Sequence, residues 1–129
     1  MARWVAVGLG CVTALGMQGA FDALLRQFGA AESPLAARGA QFVALVLAGY
    51  VAGHLVGRWH ALHGALAAVA YIFVTVTMTS IREIAIARQL GLAALAPIDF
   101  GQLALNDVVA MTGASCGGWL ASRLDTRPG

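Results

Sequence analysis

The sequence predicts an all-α integral membrane protein with four transmembrane helices in a single domain, residues 1–129. Hydrophobic residues make up 60% of the chain and charged residues only 11%, whereas roughly a quarter of a soluble domain is charged. The mean hydropathy is +0.78, and the apolar residues gather into four long stretches separated by short polar segments. The chain therefore lacks the charged surface that a water-soluble domain of this size needs.

Each apolar stretch is long enough to cross a bilayer, which takes about 20 predominantly apolar residues. Only a short basic turn separates the second stretch from the third, whereas the other two connections are longer and contain Pro34 and Pro97. The segment of residues 84–90 either extends the third helix or lies along the membrane interface. The predicted spans are residues 4–25, 40–59, 61–81 and 100–121.

The two halves of the chain show a pattern of internal repetition. Arg26-Gln27-Phe28-Gly29 is echoed by Arg88-Gln89-Leu90-Gly91, and small residues recur at equal spacing in the second and fourth spans. A two-helix unit preserves orientation, so the repeats would be parallel and related by an axis along the membrane normal. The recurring small positions are Gly49, Gly53 and Gly57 in one half and Ala114, Gly118 and Ser122 in the other.

The arginines and the loop lengths set the predicted orientation, because basic residues in short loops favour the cytoplasmic side. The arginines divide equally between the two predicted faces. One face carries the short basic turn and both chain ends, and every carboxylate except that of Asp125 falls on the other face. We therefore expect a multi-pass inner-membrane protein with both termini in the cytoplasm.

The second and fourth spans carry small residues at four-residue spacing, which places them on one face of each helix. In lipid, missing side chains let two backbones approach closely, and this packing is a main source of helix association. The faces either pack the four helices of one chain together or join the chain to a second copy or to another membrane protein. The predicted helix-packing residues are Gly49, Gly53, Gly57, Gly113, Gly117 and Gly118.

Asp107, preceded by Asn106, is the carboxylate expected inside the membrane. If the fourth helix begins near Phe100, Asp107 lies about 10 Å along it, at about 1.5 Å per residue. A carboxylate at that depth is costly unless it is paired, protonated or hydrated, so it marks a candidate functional site. Arg82 and Arg26 are the expected partners. Alternatively, Asp107 lies at the headgroup level or caps a helix that begins later.

The third span carries Thr75, Thr79 and Glu83 on one stripe, four residues apart. Threonine hydroxyls can satisfy carbonyl groups of their own helix, so the stripe can be purely structural. Alternatively, it lines a narrow polar path that ends at Glu83. In that case Glu83 joins Asp107 and Asn106 in a candidate ion or proton site.

His54 is a candidate cofactor ligand, because a histidine in a membrane helix can ligate haem. A hydrogen-bonded or interfacial role is the alternative. His60 and His63 provide only two ligands, so no metal site is predicted. The chain has no nucleophile motif, glycine-rich phosphate loop or paired carboxylates, so we predict no cofactor and no enzymatic activity. The net charge of +2 is too small to indicate a nucleic-acid partner.

Residues 49–58, GYVAGHLVGR, form a glycine-rich segment with a basic end, and residues 62–66, LHGAL, form a His-Gly-Ala entry into the next helix. With the glycine-rich segment 113–123, this pattern resembles small bacterial four-helix membrane proteins that have no assigned function. The resemblance implies the same four-helix topology and adds no chemistry.

Two functions from different classes fit these patterns. The leading hypothesis is a non-catalytic accessory or structural subunit that packs through its small-residue faces onto a larger membrane complex or onto itself. The alternative is a small dimeric transporter or channel that uses Asp107 and the stripe of Thr75, Thr79 and Glu83. A cofactor-holding subunit that uses His54 is a third hypothesis. The expected partners are membrane lipid and either other membrane proteins or a second copy, with no nucleic acid.

Overall fold

Four α-helices make up most of the chain in the computed structural model, which describes residues 2–125. The connection between the third and fourth helices also contains a short 3-10 turn, Leu92–Ala94. The prediction of an all-α protein with four helices is confirmed. The helices are α1 (Ala2–Gln27), α2 (Pro34–His54), α3 (His60–Leu90) and α4 (Phe100–Leu124).

Side-chain caps determine where α2 and α4 begin. The hydroxyl of Ser33 accepts a hydrogen bond from the backbone N–H of Ala36 at 3.3 Å, and Pro34 occupies the first turn, where its missing N–H is not needed. The carboxylate of Asp99 accepts from the backbone N–H of Gln102 at 3.0 Å. Because the Ser33 cap fixes the start of α2, this helix begins at Pro34. Hydropathy alone predicts that the span begins at residue 40.

Glycines in the left-handed region of backbone conformation follow α1 and α3. Gly29 has a φ of 69° and Gly91 a φ of 86°, values that residues with a side chain rarely adopt. The third helix therefore continues past residue 81 to Leu90, and the segment 84–90 is part of it. At about 1.5 Å per residue, the 31 residues of α3 measure about 46 Å, which exceeds the roughly 30 Å of a hydrocarbon core.

Two histidines hold the turn between α2 and α3. α2 ends at His54, so residues 55–59 form a turn instead of the last part of the predicted span. Nδ1 of His60 donates a hydrogen bond to the carbonyl oxygen of Gly53 at 2.7 Å. Nδ1 of His63 donates to the carbonyl oxygen of Trp59 at 3.0 Å. The carbonyl oxygen of Gly53 also accepts from the backbone N–H of Val56 at 3.2 Å, so both bonds tie the turn to the end of α2.

Consecutive helices run antiparallel, so α2 is parallel to α4 and α1 is parallel to α3. α1 packs against α2 and α3, and α4 packs against the same two helices. Within residues 2–125, α1 and α4 do not pack against each other. α2 and α3 therefore form the middle of the bundle, with α1 and α4 on either side.

Alanines fill the interior of the bundle, and large apolar side chains cover its outside. The largest fully buried side chain is Leu45, whereas Trp4 and Phe73 are 74% and 73% exposed. Small residues inside and large apolar residues outside are the reverse of a soluble core, and this arrangement suits a lipid surround. The alanines with no exposed surface are Ala14, Ala48, Ala52, Ala67, Ala68, Ala110, Ala114 and Ala121.

Three of the four helices are long and apolar enough to cross a membrane. They are α1 from Arg3 onward, α2 and α3. The fourth helix falls short by composition, because Gln102, Asn106 and Asp107 interrupt its apolar run. Composition therefore supports three of the four predicted spans and leaves α4 as a helix that is not apolar enough to be identified as a span.

The backbones of α2 and α4 meet directly along a row of glycines. A Cβ atom on Gly49 would overlap the carbonyl group of Ala114, and one on Gly117 would overlap the carbonyl group of Val46. Only residues without a side chain permit this approach, so the contact depends on both helices. We call this contact the α2–α4 seam, formed by Gly49, Gly53, Gly113, Gly117 and Gly118.

The sixth predicted packing residue, Gly57, lies outside the seam. It belongs to the turn after α2, is exposed, and a Cβ there would meet nothing within 4 Å. The third helix approaches the seam through Gly64, whose Cβ position would overlap the carbonyl group of Ala114. The small residues that pack the bundle therefore come from α3 as well as from α2 and α4.

We predict that Gly117→Ala destabilises the protein, because the new methyl group would overlap the Val46 carbonyl and lie 2.7 Å from the Tyr50 nitrogen. Overpacking of this kind costs about 1–3 kcal/mol. Thermal unfolding in a mild detergent, followed by circular dichroism, measures the effect as a lower melting temperature.

The matched control is Gly16→Ala, an identical change on α1 where an added Cβ would meet nothing within 4 Å. This control should melt at the same temperature as the wild type or slightly above it, since alanine favours a helix by about 0.5–1 kcal/mol over glycine. Equal melting temperatures for the two variants would contradict the α2–α4 seam.

Candidate functional site

Two cavities adjoin at the end of the bundle that carries the α1–α2 and α3–α4 connections. Their volumes are about 350 and 370 Å³, and Gln41, Tyr71 and Asn106 line both. We call the two together the polar cleft. Gln18, Arg38 and Gln102 complete the polar lining of the first cavity, and Thr75, Thr79, Ser80 and Asp107 that of the second.

Helical spacing brings these polar side chains to the same place. Gln102 and Asn106 are four residues apart on α4, so they lie one above the other on one face. The same spacing aligns Tyr71, Thr75 and Thr79 on α3. With Arg38 and Gln41 from α2 and Gln18 from α1, every helix contributes to the lining of the polar cleft.

Hydrogen bonds organise the first cavity and leave one acceptor open. The guanidinium of Arg38 donates to Oε1 of Gln102 and so links α2 to α4. Nε2 of Gln18 donates to the carboxylate of Asp22 at 3.1 Å. Oε1 of Gln18 is buried and has no hydrogen-bond partner in the described part of the chain. A buried acceptor without a donor costs about 1–3 kcal/mol, so this oxygen is suited to accept from water or from a bound molecule.

Asp107 lies inside α4 and does not cap it. The cap is Asp99, and α4 begins at Phe100, which places Asp107 about 10 Å along the helix. Asp107 and Asn106 are both partly buried and line the second cavity together with Thr75 and Thr79. The polar lining of the second cavity on α3 ends at Ser80, so Glu83, the third member of the proposed site, is not part of it.

Arg82 and Arg26 were the expected partners of Asp107, which has no ion pair among residues 2–125; the arginine that bonds to α4 is Arg38, and its acceptor is Gln102. Arg26 lies in a separate small cavity beside Asp22, its neighbour one helical turn earlier. Neither Arg38 nor Gln41 is among the predicted site residues: Arg38 lies just before the predicted span 40–59, and Gln41 is a single neutral side chain at its start. The two residues are three apart, so a helix through this segment places them on one face, and this spacing could have indicated a shared site.

Thr75 of α3 donates to backbone carbonyl groups of its own helix and also lines the polar cleft. The hydroxyl of Thr75 donates to the carbonyl oxygens of Tyr71 and Ile72, each at 3.0 Å. Thr77, on the exposed side, donates to the carbonyl oxygen of Phe73 at 2.8 Å. The local bonds use the hydroxyl hydrogen of Thr75 but leave its oxygen free to accept. The structural and the lining role of this residue are therefore compatible.

The histidines lie at the opposite end of the bundle from the polar cleft. The ring of His54 stacks on that of Tyr50, with centroids 5.7 Å apart, and its Nδ1 is buried without a hydrogen-bond partner among residues 2–125. His60 and His63 are engaged in the α2–α3 turn. In the same range, no three His, Cys, Asp or Glu side chains converge as metal ligands.

We predict that the polar cleft contains water, whereas the outer face of α4 meets lipid. In a background carrying Cys11→Ala and Cys116→Ala, Asn106→Cys should react with a charged, water-soluble maleimide at least about tenfold faster than Val108→Cys, because the reactive thiolate forms in water. Both positions lie on α4; Asn106 lines the polar cleft, and Val108 is 60% exposed on the outer surface. Equal labelling rates in proteoliposomes would contradict a hydrated cleft.

No protein-family model, curated protein or solved structure matches this chain. The resemblance to small bacterial four-helix membrane proteins therefore stays a prediction. The candidate site has to be interpreted from its own residues, and these form a polar cleft within a bundle whose outer surface is largely apolar.

Proposed function

We propose that this chain is an integral membrane protein of the bacterial inner membrane that transports a small polar solute through the polar cleft. The observation that carries this proposal is the convergence of polar side chains from all four helices on one open cleft, in which Arg38 and Asp107 are partly buried, in a bundle whose outer surface is largely apolar. Polar and ionisable groups within a membrane are costly, and they usually mark a path for a solute, ion or proton.

The transmembrane arrangement is part of the same proposal. α4 packs against α2 through the seam glycines and buries Ala110, Ala114 and Ala121, so we propose that it spans the membrane beside the three more apolar helices. Four antiparallel helices place both chain ends on one side. The short basic turn with Arg58 lies on that side, which supports a cytoplasmic location for both termini.

Reporter fusions test this topology. We expect alkaline phosphatase fused after Arg123 to be inactive and green fluorescent protein at the same position to fluoresce, because the first folds only outside the cytoplasm and the second inside it. Phosphatase fused after Ala94, in the α3–α4 connection, should be active. Phosphatase activity at Arg123 with fluorescence at Ala94 would reverse the orientation, and activity at both positions would show that α4 does not cross.

The accessory-subunit hypothesis remains open, and only one of the observations behind it concerns the small-residue helices. That hypothesis used the small-residue faces of the second and fourth helices as docking surfaces. Gly49, Gly53, Gly113 and Gly117 are instead occupied by backbone and side chains of the same chain. A partner, or a second copy, would have to bind elsewhere on the outside of the bundle, where lipid is the alternative occupant.

A duplicated origin has partial support from the packing. The positions paired by the repeat, Gly49 with Ala114 and Gly53 with Gly118, face each other across the α2–α4 seam, as parallel halves related by a two-fold axis would place them. However, the contact between α2 and α3 has no counterpart between α1 and α4 in residues 2–125. We therefore propose two parallel two-helix repeats that have become asymmetric, with one cleft instead of two.

Uptake by proteoliposomes tests transport directly. Radiolabelled glycine, choline, methanesulfonate and sorbitol cover the zwitterionic, cationic, anionic and neutral classes of small solute. We expect at least one to enter faster than it enters protein-free vesicles. Asp107→Asn should slow that uptake about tenfold, the effect of losing an interaction of about 1.4 kcal/mol.

The control Glu32→Gln also removes one carboxylate, but from the exposed loop before α2, and should leave uptake unchanged. If none of the four solutes enters faster than into empty vesicles, transport by this chain alone is wrong. If Asp107→Asn and Glu32→Gln behave alike, the polar cleft is not the path.

A further inference from the structure

The polar cleft contains two opposite charges that no ion pair joins within the described chain. Arg38 at one end donates to the neutral amide of Gln102. Asp107 at the other end lines the second cavity and has no ion pair among residues 2–125. A charge in a membrane protein is expensive unless an opposite charge or water compensates it. The cleft thus presents a site for an anion and a site for a cation.

These two sites lie in adjoining cavities that share three lining residues. Arg38 is held at Gln102, and Asp107 follows Gln102 by five residues on α4, which is a rise of about 7.5 Å along the helix axis and a rotation of about 140° around it. Asn106 lies between them and lines both cavities. Each cavity, at about 350 and 370 Å³, falls in the range of roughly 300–1,000 Å³ that is common for small-molecule sites.

The residues between the two charges are neutral and can both donate and accept hydrogen bonds. Gln41, Tyr71 and Asn106 occupy this middle part. Oε1 of Gln18 adds a buried acceptor without a partner in the part of the chain that the structure describes. These side chains would form hydrogen bonds with the polar atoms that lie between the two charged groups of a ligand. They add no net charge to the polar cleft.

We propose that the polar cleft binds a zwitterion, with its anionic group at Arg38 and its ammonium group at Asp107. This inference rests on the proposed function for the location of the site and adds the chemical class of the solute. A singly charged ligand would leave one of the two protein charges uncompensated, whereas a zwitterion compensates both. An anionic group and an ammonium group occur together in free amino acids and in the headgroup of phosphatidylethanolamine.

Thermal stability of the full chain in a non-ionic detergent tests the ligand class, because a ligand that binds only the folded state raises the melting temperature. We expect glycine and 4-aminobutyrate to raise it. Acetate and methylammonium, which each carry one of the two charges, should have little effect at the same concentration. Arg38→Gln and Asp107→Asn should each weaken the apparent affinity for the zwitterion about tenfold or more, as expected for loss of a charge-assisted hydrogen bond.

Charge-matched controls separate binding from folding. Arg88→Gln, at the exposed end of α3, and Glu32→Gln, in the exposed first loop, should keep the full thermal shift. Arg38→Lys and Asp107→Glu keep each charge and should restore part of the shift in chains that elute as a single species. A shift by acetate or methylammonium equal to that by glycine, or a full shift in both neutral variants, would overturn the proposal.

Two sources of the zwitterion are distinguished by lipid composition. Native mass spectrometry of protein from nanodiscs with phosphatidylethanolamine and phosphatidylglycerol should show retained phosphatidylethanolamine, lost in Asp107→Asn, if the headgroup is the ligand. A shift by free amino acids without lipid retention identifies a soluble ligand. The proposal is wrong if the protein retains no phosphatidylethanolamine and free amino acids do not raise its melting temperature.

Failure of transport and failure of this inference give different results. If glycine binds but no solute is taken up, the transport proposal is wrong and the proposal that the polar cleft binds a zwitterion stands. If choline, methanesulfonate or sorbitol is taken up but no zwitterion binds, the transport proposal stands and the zwitterion proposal is wrong.

Discussion

The direct contact between the backbones of α2 and α4 is the constraint on which the rest of the bundle depends. The carbonyl groups of Ala114 and Val46 occupy the positions where Gly49 and Gly117 would otherwise carry side chains. Two helices this close leave room only for small residues from a third, and α3 accordingly approaches through Gly64. In lipid there is no hydrophobic drive between helices, so such contact is itself the source of cohesion. The alanine-filled interior follows from this geometry, and the large side chains are left on the outside.

The extent of the α2–α4 seam also determines where the polar cleft forms. The last seam contact toward the loop end joins Gly113 to the carbonyl oxygen of Phe42. Gln41, the residue before Phe42, already lines the polar cleft, as does Asn106, about two helical turns before Gly113. Where glycines and alanines give way to longer polar side chains, the helices can no longer close on one another. The bundle is thus tightly packed along the seam and opens into a polar cleft toward the loops.

The sequence carries enough information for the helices and for part of the site. Four apolar stretches predict four helices, and the position of Asp107 within one of them predicts its burial. Periodicity marks the glycine faces but not their partners, so it does not show that the faces of α2 and α4 meet each other. Arg38 escapes prediction because hydropathy places it in the polar flank of the span 40–59, whereas the cap at Ser33 draws it into α2. Gln41 lies inside that span, but one neutral side chain at its start does not indicate a site. The polar lining of the second cavity on α3 stops at Ser80, so Glu83 does not line the cavity that Asp107 lines.

The seam restricts which parts of the bundle could move to let a solute pass. Separating α2 from α4 would expose paired backbones and open the alanine interior, so the wall of the polar cleft that carries Arg38 and Asp107 is the rigid one. The opposite wall is formed by α3, whose outer half is poorly covered: Met78 is 65% exposed and Ile81 is 59% exposed. Under the proposed transport function, a shift of this half-helix would change access to the cleft without breaking the seam. The two charges can then stay at a fixed spacing while the entrance changes, and a site held in this way loses little entropy on binding.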